Sequence, residues 1–231
     1  MTSTFLTFSD YMKPSIRLSA MMNLPVTYIF THDSVFIGQD GETHQSIEQL
    51  GTLRLIPNLN VFRPSDVNEL VASWHYILNN NSPSALIISK DEKGIIKNSS
   101  VEDALKGGYI IKKENGKLSG ILVSTGSEVE TVINVSDELE SKGIYTRVIS
   151  MPSVEVFEKQ SKEYKSGLFN IGSKIIVVEA SNDNIWNKYV YNEKYIININ
   201  EYGKSGTKEE LMREYKFDFD SLLAEIFELL F

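Results

Sequence analysis

Residues 31–45 read THDSVFIGQDGETHQ, and two of the chain's three histidines, His32 and His44, fall here with Asp33 and Asp40 between them. Imidazole changes its charge near neutral pH and can both donate and accept hydrogen bonds. Beside carboxylates it suits proton transfer, or the holding of a hydroxylated or anionic ligand. Gly38 and Gly41 favour a tight turn that would return His44 to the side of His32. Spacing alone leaves chance open, because loops are generally polar. Zinc is the weaker reading: two histidines this far apart, without cysteine, match no usual ligand spacing, and no third ligand stands out. His75 adjoins Trp74 in a helix-period stretch and reads as structural.

The elements that must position this loop follow from periodicity. Short β-branched runs at Pro25–Phe30, Val61–Arg63, Ala85–Ser89, Ile121–Ser124, Tyr145–Ile149, Ile175–Val178 and Tyr195–Ile199 predict buried strands. Between them Val67, Leu70, Val71, Trp74, Ile77 and Leu78 recur at helical spacing behind Asp66 and Glu69, a capping-box pair. Ser127 with Glu130, Ser46 with Gln49 and Thr207 with Glu210 repeat that pattern, and Gly143 is the expected stop of the helix after Ser127. The alternation predicts α/β architecture with largely parallel sheets. In open parallel sheets the ligand crevice lies beyond the carboxyl ends of the strands. THDS directly follows PVTYIF, so His32 and Asp33 are expected to project into such a crevice.

Residues 91–118 are rich in charge, Gly and Asn, and read mostly as a linker and a small hairpin, with Gly107–Gly108 near the domain boundary. The division expected is a first α/β unit over 1–92, a linker over 93–106 and a second α/β domain over 107–231. The chain starts almost directly on TFLTF, expected as an interior strand, and the first unit has few elements to cover two sheet faces. It reads as truncated. STGSE at 124–128 places backbone N–H groups at a helix start, where a capped helix or an anion site would fit.

Composition narrows the partners. The 231 residues carry a net charge of −8, with 42% hydrophobic and 23% charged side chains, as in ordinary globular proteins. No basic run resembles a nucleic-acid footprint. No apolar run approaches the ~20 residues that span a bilayer, and the N-terminus lacks a signal-peptide pattern. Cysteine is absent, which removes disulfides and thiol chemistry. The expectation is a soluble, cytoplasmic protein.

Several ordered stretches resemble transketolase, the thiamine-diphosphate enzyme that moves two-carbon ketol units between sugar phosphates. They are TFLTFSDY at 4–11, LPVTYIFTHDS at 24–34, GQDGETHQSIEQL at 38–50, PNLNVFRPSDVNE at 57–69, LVSTGSEVE at 122–130, RVISMPS at 147–153 and YGKSGTKEEL at 202–211. The resemblance implies the end of a pyrimidine-binding domain followed by a smaller α/β C-terminal domain with a mostly parallel sheet. It implies that Phe5, Phe8 and Tyr11 form the aromatic pocket for the cofactor's aminopyrimidine ring. His32 would hold a substrate's phosphate end, Asp40 a sugar hydroxyl, and His44 the sugar nearer the reacting carbons. Lys90 stands where the family usually carries a phosphate-binding Arg, keeping the charge without bidentate geometry. Gln39 and Glu42 depart from the family's Glu and Pro, and Glu42 adds negative charge near a phosphate path.

The resemblance also implies that thiamine diphosphate and Mg2+ are held largely by a separate N-terminal domain. The glutamate that promotes cofactor activation has no counterpart in this sequence, nor does the diphosphate metal motif. No complete catalytic set and no metal ligands are therefore assigned. The expectation is a C-terminal transketolase segment that binds neither cofactor stably by itself and is silent alone, with sugar phosphates, the N-terminal domain and a second copy in a homodimer as partners. A non-catalytic interaction subunit with this fold, or a sister thiamine enzyme such as deoxyxylulose-phosphate synthase, is the alternative.

Overall fold

Buried β-branched runs flanked by amphipathic helices generate two sheets in sequence order. The computed structural model describes residues 1–91, 94–170 and 172–231. The first sheet has strands β1 (Thr2–Phe5), β2 (Thr27–Thr31), β3 (Asn60–Phe62) and β4 (Ser84–Ile88), all parallel, in the order β1-β2-β4-β3. Phe30, Ala85, Leu86 and Ile87 have no solvent exposure, as expected of strands covered on both faces. Helices α1 (Ser9–Met21), α2 (Gln49–Arg54) and α3 (Val67–Asn79) connect them. TFLTF differs from its expectation. Only its start is a strand, β1, which lies at the sheet's edge, and Leu6–Phe8 winds into a 3-10 turn before α1.

The second sheet follows a short helix, α4 (Val101–Ala104). Its strands are β5 (Tyr109–Lys112), β6 (Leu118–Ser124), β7 (Tyr145–Ser150), β8 (Ile175–Val178) and β9 (Ile196–Ile197), in the order β5-β7-β6-β8-β9. All pairs are parallel except β5 with β7. Helices α5 (Val129–Ser141), α6 (Val154–Glu158), α7 (Lys162–Leu168), α8 (Lys208–Glu214) and α9 (Phe219–Leu230) complete the unit. On α5, Val129, Val132, Val135 and Leu139 bury one helical stripe in the main apolar core, which it shares with α9. No helix among the described residues is long and apolar enough to cross a membrane.

The small hairpin expected within 91–118 does not form among the described residues, because β5 pairs with β7 rather than with a neighbouring strand of that stretch. The stretch read as a linker is also tied down: Ser100 caps α4, Ile96 N–H donates to Asp66, and Asn68 donates to the Ser99 carbonyl. The expected limits at residues 92 and 93 lie outside the described residues. Gly107 shows why the end of this stretch is fixed. With φ at +81°, an added Cβ would meet Phe157 N at 2.4 Å and Ser153 O at 2.5 Å.

Helix starts sort by whether the capping side chain had a stronger claim on it. Thr207 and Glu210 form a complete capping box, and Asp66 accepts from Glu69 N–H at 2.9 Å. Ser127 and Ser46 do not cap. The Ser127 hydroxyl goes to Asp33 and Glu128, and α5 begins at Val129 without a side-chain cap. Gln49 accepts instead from Ile47 N–H. Gly143 takes the left-handed turn after α5 as expected, with φ at +78°. The two units share one continuous core, since Val35, Phe36, Ile47 and Ala72 pack in the same cluster as Leu122, Val178 and Phe217.

Candidate functional site

The THDS segment leaves the carboxyl end of β2, and the backbone turns sharply at His32, whose φ is +62°. Gly38 and Gly41, with φ of +93° and +78°, fold the following residues back. His44 N–H closes that turn on the Gly41 carbonyl at 3.0 Å. His44 thereby returns to the same mouth as His32.

Both histidines meet there on the rings that end β1 and start α1. The Phe5 ring stacks on His32 at 3.7 Å between centroids and meets His44 edge-on at 5.8 Å. Phe8 lies parallel to Phe5 at 5.7 Å and receives His44 edge-on at 5.2 Å. Tyr11 continues the row at 5.9 Å from Phe8, on an exposed outer edge. The aromatic trio and the histidine pair form one surface. Offset and edge-on rings are the arrangement that holds a flat heteroaromatic group.

The polar rim is set by Lys90, beyond the end of β4. Its ammonium donates to the Ile37 carbonyl at 2.8 Å and to Asp40 at 3.0 Å. That hydrogen bond holds the Asp40 carboxyl below the usual carboxylate range. Burial, and then the Lys90 charge, holds the His32 imidazole below its ordinary 6.5. His32 is therefore largely neutral at pH 7. Its Nδ1 lies 2.9 Å from Thr31 Oγ1, which leaves Nε2 for a ligand. His75 lies exposed on α3, away from this group. Among the described residues no cluster of three His, Cys, Asp or Glu side chains could hold a metal ion.

Asp33 does not project into the crevice as expected. It is buried and accepts from Arg63 at 2.6 Å and from Ser127 at 2.8 Å. Arg63, fully buried, also donates to Glu128 at 2.5 Å and to Thr125. The STGSE turn is thus filled by the Arg63 guanidinium and its two carboxylate partners, and Gly126 N–H donates to the Arg63 carbonyl at 3.1 Å. Gly126 makes room for it, since a Cβ at that position would meet Arg63 Cγ and Nε at 2.7 Å.

Two family models match the chain: the transketolase pyrimidine-binding domain over residues 1–94, and the transketolase-like C-terminal domain over residues 107–218. The chain belongs to the transketolase family. A transketolase of Aquifex aeolicus is 41% identical over 230 residues, which cover 97% of this chain and 33% of that protein. A Pichia stipitis transketolase solved with sedoheptulose 7-phosphate superposes with a TM-score of 0.93 at 35% identity, covering 99% of this chain and 33% of that one. A Campylobacter jejuni transketolase gives 0.89 at 36% identity, covering 98% and 35%. The chain spans about a third of the length of the transketolases it matches.

Sequence reading overlooked the charged seam that joins the two transketolase domains. Arg54 donates to Glu179 at 2.9 Å and Asp183 at 2.6 Å, and lies over the Trp186 ring. Burial alone would push the Glu179 carboxyl up, but Arg54 brings it down to about 2. Glu69 is a second buried carboxyl at the seam, without an arginine, and accepts from Ser65 N–H, the Tyr109 hydroxyl and the Ser150 hydroxyl. A signal for Arg63 did exist: it follows β3 directly, at the carboxyl end where crevice residues sit.

Proposed function

We propose that this chain contributes the aminopyrimidine-holding and sugar-phosphate-holding face of a transketolase active site. One observation carries the reading: the Phe5 ring contacts both His32 and His44, so platform and rim form a single surface. The residues present fit half of the cofactor. Phe5, Phe8 and Tyr11 would hold the aminopyrimidine, and diphosphate and metal ligation falls to a separate domain. Bound thiamine diphosphate supplies the nucleophilic carbon that carries the two-carbon unit.

The remaining roles belong to this chain's side chains. The Phe5 and Phe8 rings exclude water from one wall of the mouth. His32 Nε2 and His44 donate to substrate oxygens, Asp40 accepts from a sugar hydroxyl, and Lys90 neutralises phosphate. Sedoheptulose 7-phosphate is bound by the Pichia stipitis relative, which supports sugar phosphates as the ligand class. The proposed domain limits are 1–92 and 107–231 with 93–106 between them, and the working assembly is proposed as a cytoplasmic homodimer that includes the diphosphate-binding domain.

With only three histidines, imidazole NMR provides a direct test. Ribose 5-phosphate is expected to shift the His32 and His44 signals and leave exposed His75 in place. No shift at either residue overturns the reading. The 231-residue chain alone is expected to give no turnover of xylulose 5-phosphate and ribose 5-phosphate with thiamine diphosphate and Mg2+. Turnover would show that diphosphate and metal need no other domain.

A further inference from the structure

The 38–44 loop carries Asp40 and His44, and beside Lys90 of the first unit the second domain supports it. Gln45, adjacent to His44, is buried and directs its side-chain amide at two carbonyls. Nε2 donates to Lys204 O at 2.9 Å and reaches Gly38 O at 3.5 Å. The slot it occupies exists only because residue 203 has no side chain. A Cβ on Gly203 would stand 1.7 Å from Gln45 Oε1 and 2.6 Å from Cδ. A Cβ on Gly41 would meet Ser205 Oγ at 3.2 Å, so the tip of the loop also rests on this segment.

The supporting segment is itself braced from behind. The Tyr215 hydroxyl donates to the Tyr202 carbonyl at 2.7 Å, and Lys204 pairs with Glu214 on α8 at 2.5 Å. The second domain, which supplies none of the rings or rim residues described above, therefore holds the substrate loop through one amide.

We propose that Gln45 is a positioning residue, and that residues 202–206 act through it as a clamp fixing His44 and Asp40 for the sugar phosphate. This deepens the proposed function and rests on it for the identity of the ligand alone. The geometric part stands separately: it requires that His44 move when the clamp is disturbed. A merely space-filling Gln45 would be replaced without effect by methionine, which has similar length and no amide.

The test uses the 231-residue chain and imidazole NMR, with His75 as internal reference. Gly203→Ala and Gln45→Met are each expected to shift the His44 ring signals, which report the Phe5 and Phe8 ring faces, and to leave His75 unmoved. Both are expected to weaken ribose 5-phosphate binding about 10-fold, the equivalent of one or two lost hydrogen bonds. If Gly203→Ala unfolds the chain, seen as collapse of all three histidine signals, Gln45→Met decides alone. His44 signals that match the wild type in Gln45→Met overturn the clamp. A moving His44, in a protein whose wild type ignores ribose 5-phosphate, keeps the clamp and removes the sugar-phosphate reading.

Discussion

The Phe5 ring lies face to face with the His32 imidazole, 3.7 Å between centroids, at the point where β1 and β2 end side by side. Register explains the contact, since Phe5 pairs with Thr31 and His32 is the next residue. The stack also shields the imidazole from water, in keeping with its lowered proton affinity.

His32 is expected to titrate below 6.5 in the folded chain, and an imidazole NMR titration checks this. The sign follows from linkage. Between the folded and unfolded values the unfolded chain binds more protons, so this contribution is complete above 6.5 and is lost as pH falls through that window. A bound phosphate dianion favours the charged ring and is expected to raise the value.

Lys90→Met is expected to weaken ribose 5-phosphate binding roughly 10-fold, and Lys90→Arg to restore it. Calorimetric titration checks both. The methionine variant also frees Asp40, whose carboxyl is expected to titrate closer to the ordinary carboxylate range. Equal affinity in all three proteins removes Lys90 from the phosphate path.

Arg63→Met leaves Asp33 and Glu128 buried without their cation, which costs about 3–5 kcal/mol. Urea unfolding is expected to show this as a lower midpoint. Arg63→Lys is expected to recover little, because one ammonium cannot reproduce the paired contacts of the guanidinium fork with two carboxylates.

Glu69 makes the opposite pH prediction from the acidic residues held by arginine. Burial pushes its carboxyl up from 4.5. Its contribution is therefore complete below 4.5 and is lost as pH rises through the folded value. The stability difference between wild type and Glu69→Gln, measured from pH 4 to 8, is expected to change in that direction. The amide keeps an acceptor oxygen for Tyr109 and Ser150 but sets its NH2 against the Ser65 N–H, which donates to the other Glu69 oxygen, at a cost of about 1–3 kcal/mol.

Much of this molecule was legible before any coordinates. The strand runs were readable because parallel strands buried on both faces need continuous β-branched sequence, and the loop mouth because glycines mark the turns that close it. What escaped was pairwise and distant. Ser127 looked like a cap, but a buried arginine from another domain binds that turn more strongly than a helix start does. Asp33 looked like a ligand group for the same reason, since local sequence does not say which way a carboxylate at a strand end turns. β5 escaped because a short strand after two glycines carries no mark of its partner. Gln45 and Gly203 are far apart in sequence, and only packing reveals that one makes room for the other.

The wedge of Gly107 against Ser153 and Phe157 has a mechanical consequence. With the end of the connecting stretch wedged at Gly107 and buried charges paired along the seam, the two domains are fastened to each other at several separate points.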